Sequence, residues 1–127
     1  MEQYLIDTNV VSDYFSNSFP ISGMCLMDIA LDATPNISII TEIELLCWKT
    51  DIKMEQHIKN FIYDSIILGI NPNIVAQCVL LRKNKKIKTP DAIIAATALV
   101  YDYTLITNNE KDFINIDNLK IINPYKI

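Results

Sequence analysis

At 127 residues, half of them hydrophobic and a fifth charged, the chain has the size and composition of one ordinary globular domain. Only two glycines are present, which almost excludes a glycine-rich phosphate loop, so any pocket must be walled by side chains and helix ends. The net charge of −4 and a sequence pI of about 4.8 argue against a general nucleic-acid binder, although five of the eleven basic residues fall within Arg82–Lys88.

The elements alternate along the chain. Gln3–Ile6 is a short apolar run, and Asp7-Thr8-Asn9 after it is a turn and cap cluster. Helices are predicted over Val10–Phe15 and, beyond Pro20, over Met24–Ala33. Ile37–Ile40 reads as a second strand, and Thr41 as the start of a helix through Leu45, Leu46 and Trp48. An amphipathic stretch covers Met54–Ile62, and Ser65–Ile70 is a third strand. Asn71-Pro72 and Thr89-Pro90 each open a helix, the second ending near Val100. Thr104–Ile106 and Leu119–Ile122 are the fourth and fifth strands.

This alternation predicts an α/β fold, with a parallel sheet between helices in three layers and a single domain over 1–127. Right-handed crossovers bring the strand-to-helix turns to the carboxyl edge of such a sheet, where ligands bind. The longest apolar stretch, Ala92 to Val100, is well short of the roughly 20 residues that span a bilayer. No basic residue precedes the first apolar run, as a signal peptide would require. Cys25, Cys47 and Cys78 share no metal-type spacing and sit in apolar stretches, so they are expected in the core as small hydrophobes. A reducing cytoplasmic location is the resulting expectation. The lone His57, in a polar helical stretch, is expected at the surface.

The predicted carboxyl edge collects acids. The first strand exits into Asp7, Glu44 follows the second, Asp91 opens the helix after Pro90, and the fourth strand exits into Thr107-Asn108-Asn109. Each acid has an ordinary alternative. Thr41-x-x-Glu44 has the spacing of a capping box, Asp91 favours a helix dipole, and Asp7 suits an N-cap. Yet no Arg or Lys lies within two residues of any of the three, and anions brought together cost stability unless a cation joins them. An all-oxygen set without His or Cys suits Mg²⁺ or Mn²⁺ far better than zinc. Glu42 competes with Glu44, but two helical positions stand about 200° apart, so only one can face the site. The basic residues Arg82, Lys83, Lys85, Lys86 and Lys88 read equally as a solvated helix C-terminus or as phosphate contacts.

Four segments carry a resemblance: Leu5-Ile6-Asp7-Thr8-Asn9; Ser38-x-Ile40-Thr41-x-x-Glu44-Leu45; Pro90-Asp91-x-Ile93-Ile94-Ala95-Ala96-Thr97-Ala98; and Leu105-Ile106-Thr107-Asn108-Asn109-x-x-x-Phe113. In order and separation they resemble the blocks of the PIN-domain family, most closely the VapC-like toxins of type II toxin–antitoxin modules. The resemblance implies a five-stranded sheet of order 3-2-1-4-5. It makes Asp7, Glu44 and Asp91 metal-binding catalytic acids, with Asn109 at a fourth acidic position and Asn9 and Thr107 as polar supports. It further implies Mg²⁺- or Mn²⁺-dependent hydrolysis of RNA, a homodimer and a cognate VapB-like antitoxin. That antitoxin would lay a helix over a groove of Val10, Val11, Tyr14, Phe15, Met24 and Met27 and bring an Arg to the acids.

Two departures stand out. Asn109 is an amide where many relatives have Asp, with Asp112 near enough to substitute but expected to face water. Trp48 stands where the family often has Gly. The rival expectations are a catalytically inactive PIN fold kept for protein binding and a receiver-type phosphoacceptor domain.

Overall fold

The computed structural model describes residues 2–127. Five short strands form one parallel sheet: β1 (Tyr4–Ile6), β2 (Asn36–Ser38), β3 (Ile66–Leu68), β4 (Thr104–Ile106) and β5 (Ile121–Ile122). The order is β3-β2-β1-β4-β5, as the resemblance implies. Receiver domains have the order 2-1-3-4-5, so that reading is set aside. Six helices and one short turn of helix complete the described residues: α1 (Thr8–Phe15), α2 (Ile21–Asp32), α3 (Ile39–Cys47), α4 (Ile52–Asp64), α5 (Pro72–Asn84), α6 (Thr89–Tyr101) and α7 (Glu110–Phe113). No helix among these residues is long and apolar enough to cross a membrane.

Alternation along the central strands divides the core into two layers. Leu5 and Leu105 point to one side, where they join Ile74, Leu81, Ile94, Ala95 and Phe113 from α5, α6 and α7. Their neighbours Ile6 and Ile106 point to the other and join Val10, Met27, Leu45, Ile58 and Phe61 from α1 to α4. The register pairs Leu5 with Leu105 and Ile6 with Ile106, so each layer is continuous across the centre of the sheet. Phe113 is fully buried, which contributes about 1.5–3 kcal/mol and pins α7 beside the edge of β4.

Local signals explain most boundaries. Asn71 caps α5, its side chain accepting from Ile74 N at 2.9 Å, with Pro72 in the first turn. Asp51 caps α4 in the same way at 2.7 Å. With glycine scarce, the left-handed turns fall to Asn17, Asp102 and Asn118, residues that tolerate this region, and to Thr34. Gly23 is required by a close approach: a Cβ there would stand 2.2 Å from the Pro124 carbonyl oxygen, where α2 meets the C-terminal segment.

Three expectations need correction. α3 begins at Ile39 with Ser38 as its cap, so Thr41 is a buried residue inside the helix and not its opening. Cys25 and Cys47 are exposed and are not core residues, whereas Cys78 is half-buried and packs against the core. Of the expected groove residues, Val10, Val11 and Met27 are core, while Tyr14, Phe15 and Met24 stay partly exposed. His57 is exposed as expected and stacks on Phe15 with ring centroids 5.8 Å apart.

Candidate active site

β1 ends one residue before the first helix, and that residue is Asp7. Its backbone N–H still donates to the Ile106 carbonyl at 3.0 Å, so the sheet itself holds it. As N-cap of α1, Asp7 accepts from Thr8 N through Oδ1 at 2.8 Å. The other oxygen, Oδ2, accepts from the Thr107 hydroxyl at 2.8 Å. Thr107 is wholly buried, and its oxygen also accepts from the Asn109 backbone N–H at 3.0 Å. One hydroxyl thus ties the exit of β4 to the carboxylate at the exit of β1.

Glu44 is positioned from across the edge. Thr8 Oγ1 donates to Glu44 Oε1 at 2.6 Å and lies 3.2 Å from the hydroxyl of Thr41. The capping-box alternative therefore fails: Glu44 turns to α1 and not back to Thr41. Thr8, adjacent to Asp7, was not singled out in the sequence, and only its place inside the Asp-Thr-Asn cluster hinted at a role. Asp91 comes from the first turn of α6, and with Asp7, Glu44, Asn9 and Asn109 it lines one cavity of about 460 Å³. Leu45, Cys47 and Trp48 form the apolar side of the same cavity.

Burial and mutual repulsion set the proton affinities. Asp91 is pushed up to about 6, first by burial, then by the charges of Asp7, Asp112 and Glu44, with Lys88 acting in opposition. Burial also raises Asp7, against the hydrogen bonds from Thr107 and Thr8, while Glu44 and Asp112 add repulsion. Asp112 is exposed, as expected, but its charge bears on both acids. It also accepts from Asn109 Nδ2 at 2.7 Å.

The basic segment divides. Arg82 donates to the Ile87 carbonyl at 2.5 Å and braces the connection from α5 to α6. Lys83, Lys85 and Lys86 are exposed, and Lys88, the N-cap of α6, is the one whose charge Asp91 feels.

A pH effect follows in metal-free protein. The folded state holds the Asp91 proton more tightly than an unfolded carboxyl of ordinary value 3.8. The stabilising contribution is therefore complete below about pH 4 and is lost as pH rises through about 6. Thermal unfolding between pH 4 and 7 in chelator should show a smaller decline for Asp91→Asn than for wild type. Equal declines would remove Asp91 as the source.

The donor set fits a hard cation. The cavity offers carboxylate, amide and hydroxyl oxygens from Asp7, Glu44, Asp91, Asn109 and Thr8. Among the described residues no three Asp, Glu, His or Cys side chains stand close enough to hold an ion directly. Mg²⁺ does not require three such groups, because it commonly keeps several waters and takes only one or two carboxylates.

The sequence pattern of the PIN domain matches residues 4–119. A chain of a toxin–antitoxin complex from Klebsiella pneumoniae is 34% identical, with 98% of this chain and 100% of that one covered and a TM-score of 0.76. VapBC-1 from nontypeable Haemophilus influenzae shares the fold at 24% identity, covering 97% and 98% of the two chains with a TM-score of 0.77. So does VapBC2 from Rickettsia felis bound to a promoter DNA fragment, at 24% identity, 94% and 97% coverage and a TM-score of 0.76. No curated protein matches the sequence. The chain belongs to the PIN-domain family, with the fold of its VapC-like toxins.

Proposed function

We propose that the protein is a Mg²⁺- or Mn²⁺-dependent endoribonuclease and the toxin of a toxin–antitoxin pair. The observation that carries this reading is the convergence of Asp7, Glu44 and Asp91 on one cavity, where their charges oppose one another. Asp7 and Asp91 are the ligands we assign, with Glu44 joining through water. When bound, the ion would lower the pKa of a coordinated water and neutralise charge on the phosphoryl oxygens.

The chain supplies the rest. Thr107 and Thr8 fix the Asp7 and Glu44 carboxylates before substrate arrives, so little reorganisation is needed. Asn109, held at its backbone by Thr107, presents an amide in place of a fourth charge. Leu45 and Cys47 give the cavity part of its apolar lining. Of the basic residues, Lys88 stands nearest the acids electrostatically and is the one best placed to meet a phosphate. Hydrolysis would leave a 5′-phosphate and a 3′-hydroxyl.

The partner in this reading is a VapB-like antitoxin, since similar solved structures are toxin–antitoxin complexes. An apolar depression of about 290 Å³ between Tyr14, Phe15, Leu31, His57 and Phe61 would receive its helix. An inserted Arg would pair bidentately with the acids. The active unit we assign is a homodimer in the cytoplasm.

Expression alone should arrest growth, and co-expression with the adjacent small reading frame should relieve it and yield a co-purifying complex. Purified protein should cut RNA to 5′-phosphate ends. Absence of both toxicity and complex would refute the toxin assignment. Absence of RNA cleavage would refute the nuclease.

A further inference from the structure

The cavity has an aromatic wall that metal-assisted hydrolysis leaves without a role. α3 ends at Cys47, and Trp48 follows in extended backbone as its C-cap, four residues beyond Glu44. Four helical residues span about 6 Å of rise, so the indole stands one turn from an acid of the site. Trp48 is half-buried. It packs against the layer containing Leu45 and Ile58, and it lines the acid cavity as well as a smaller depression beside Thr50 and Lys59. The ring is thus braced from behind and still borders the cavity.

The size and polarity of that space suggest what meets the ring. An ion with six waters takes roughly 180 Å³ at about 30 Å³ per water, well under the cavity's 460 Å³. The remaining volume is bordered both by the acids and by Leu45, Cys47 and Trp48. A nucleotide has the matching halves, an anionic phosphate for a cation at the acids and a neutral π-face for the indole. A neutral base can sit beside carboxylates without any charge to balance.

We propose that Trp48 is a base-stacking platform, on which the nucleobase next to the scissile phosphate rests. The proposal depends on the nuclease reading and adds the subsite that holds substrate beside the acids. Stacking tolerates every base because each has a π-face, so the subsite contributes affinity and a preference for larger purines over pyrimidines.

Trp48 is the only tryptophan, so fluorescence excited beyond the absorption of the six tyrosines reports this wall alone. Single-stranded RNA should quench it, whereas an abasic ribose-phosphate oligomer of equal length and charge should not. In steady-state cleavage, Trp48→Ala should raise KM about 5- to 150-fold with kcat nearly unchanged, and Trp48→Phe should restore most of the loss. A purely structural tryptophan predicts the opposite split, with a lower melting temperature and less active enzyme at unaltered KM. Unchanged KM in folded Trp48→Ala would overturn the proposal, as would equal quenching by the abasic oligomer. Should Trp48→Ala fail to fold, the wild-type quenching comparison decides alone. Wild-type protein that cuts RNA without quenching overturns the stack and spares the nuclease. Wild-type protein that neither binds nor cuts RNA overturns both.

Discussion

Asp7→Asn, Glu44→Gln and Asp91→Asn should each lower RNA cleavage by about 10²- to 10³-fold, the loss typical of removing one preorganised electrostatic group. The fold should survive all three. Asn is as good an N-cap as Asp, so in Asp7→Asn the amide oxygen keeps the bond from Thr8 N, and the Nδ2 that replaces Oδ2 can donate to the Thr107 hydroxyl oxygen. Gln at 44 can still accept from Thr8. Each change also removes a negative charge from the cluster that raises the proton affinities of Asp7 and Asp91, so metal-free melting temperatures should hold or rise. Cleavage rates and unfolding midpoints on the same samples decide the matter. Variants that are destabilised by about 1 kcal/mol yet active would show that the acids serve helix ends and not catalysis.

Removal of metal is the second large effect. EDTA should abolish cleavage, and Mg²⁺ or Mn²⁺ in excess should restore it, because the cavity's acids and amide are oxygen donors suited to hard cations. The same ions should raise the melting temperature of wild type. Binding only to the folded state stabilises by about 2.7 kcal/mol at a hundredfold excess over Kd. Asp91→Asn should blunt this rise, which ties the ion to the acids without relying on turnover. Cleavage undiminished in chelator would defeat the metal assignment, whatever the substitutions show.

The alternation of strands and helices was legible in short local signals, which also placed Asp7 and Asp91 at element ends, whereas the order of the sheet came from the family resemblance. Asp7 and Asp91 lie directly beside a strand end and a helix start, and Thr104–Ile106 has turn residues on both sides. The start of α3 was not legible. Ile39 and Ile40 are β-branched and extend the apolar run of β2, which favours a longer strand, whereas Ser38 caps the helix from the last strand position. The cysteines misled because apolar neighbours in sequence do not fix which side of a helix faces the core. α2 shows this most clearly: Leu26 and Met27 are buried while Cys25 beside them is exposed. Thr8 and Trp48 gain their meaning only from partners elsewhere, Glu44 in one case and the cavity in the other. Asp112 was expected at the surface and lies there. Its influence on Asp7 and Asp91 is an effect of charge through space that no spacing rule conveys.

The bond between Thr107 and Asp7 joins residues a hundred positions apart, and β1 pairs along its whole length with β4. During synthesis at about 5–20 residues per second, the N-terminal acid would wait some 5–20 seconds for the strand that orients it. Until then β1 lacks its principal neighbour and Asp7 lacks both the Ile106 carbonyl and the Thr107 hydroxyl. A chain from which β4 has not yet emerged therefore lacks the bonds that orient Asp7, however early that acid appears. Birth order along the polypeptide thus delays the orientation of Asp7 until the fourth strand is in place.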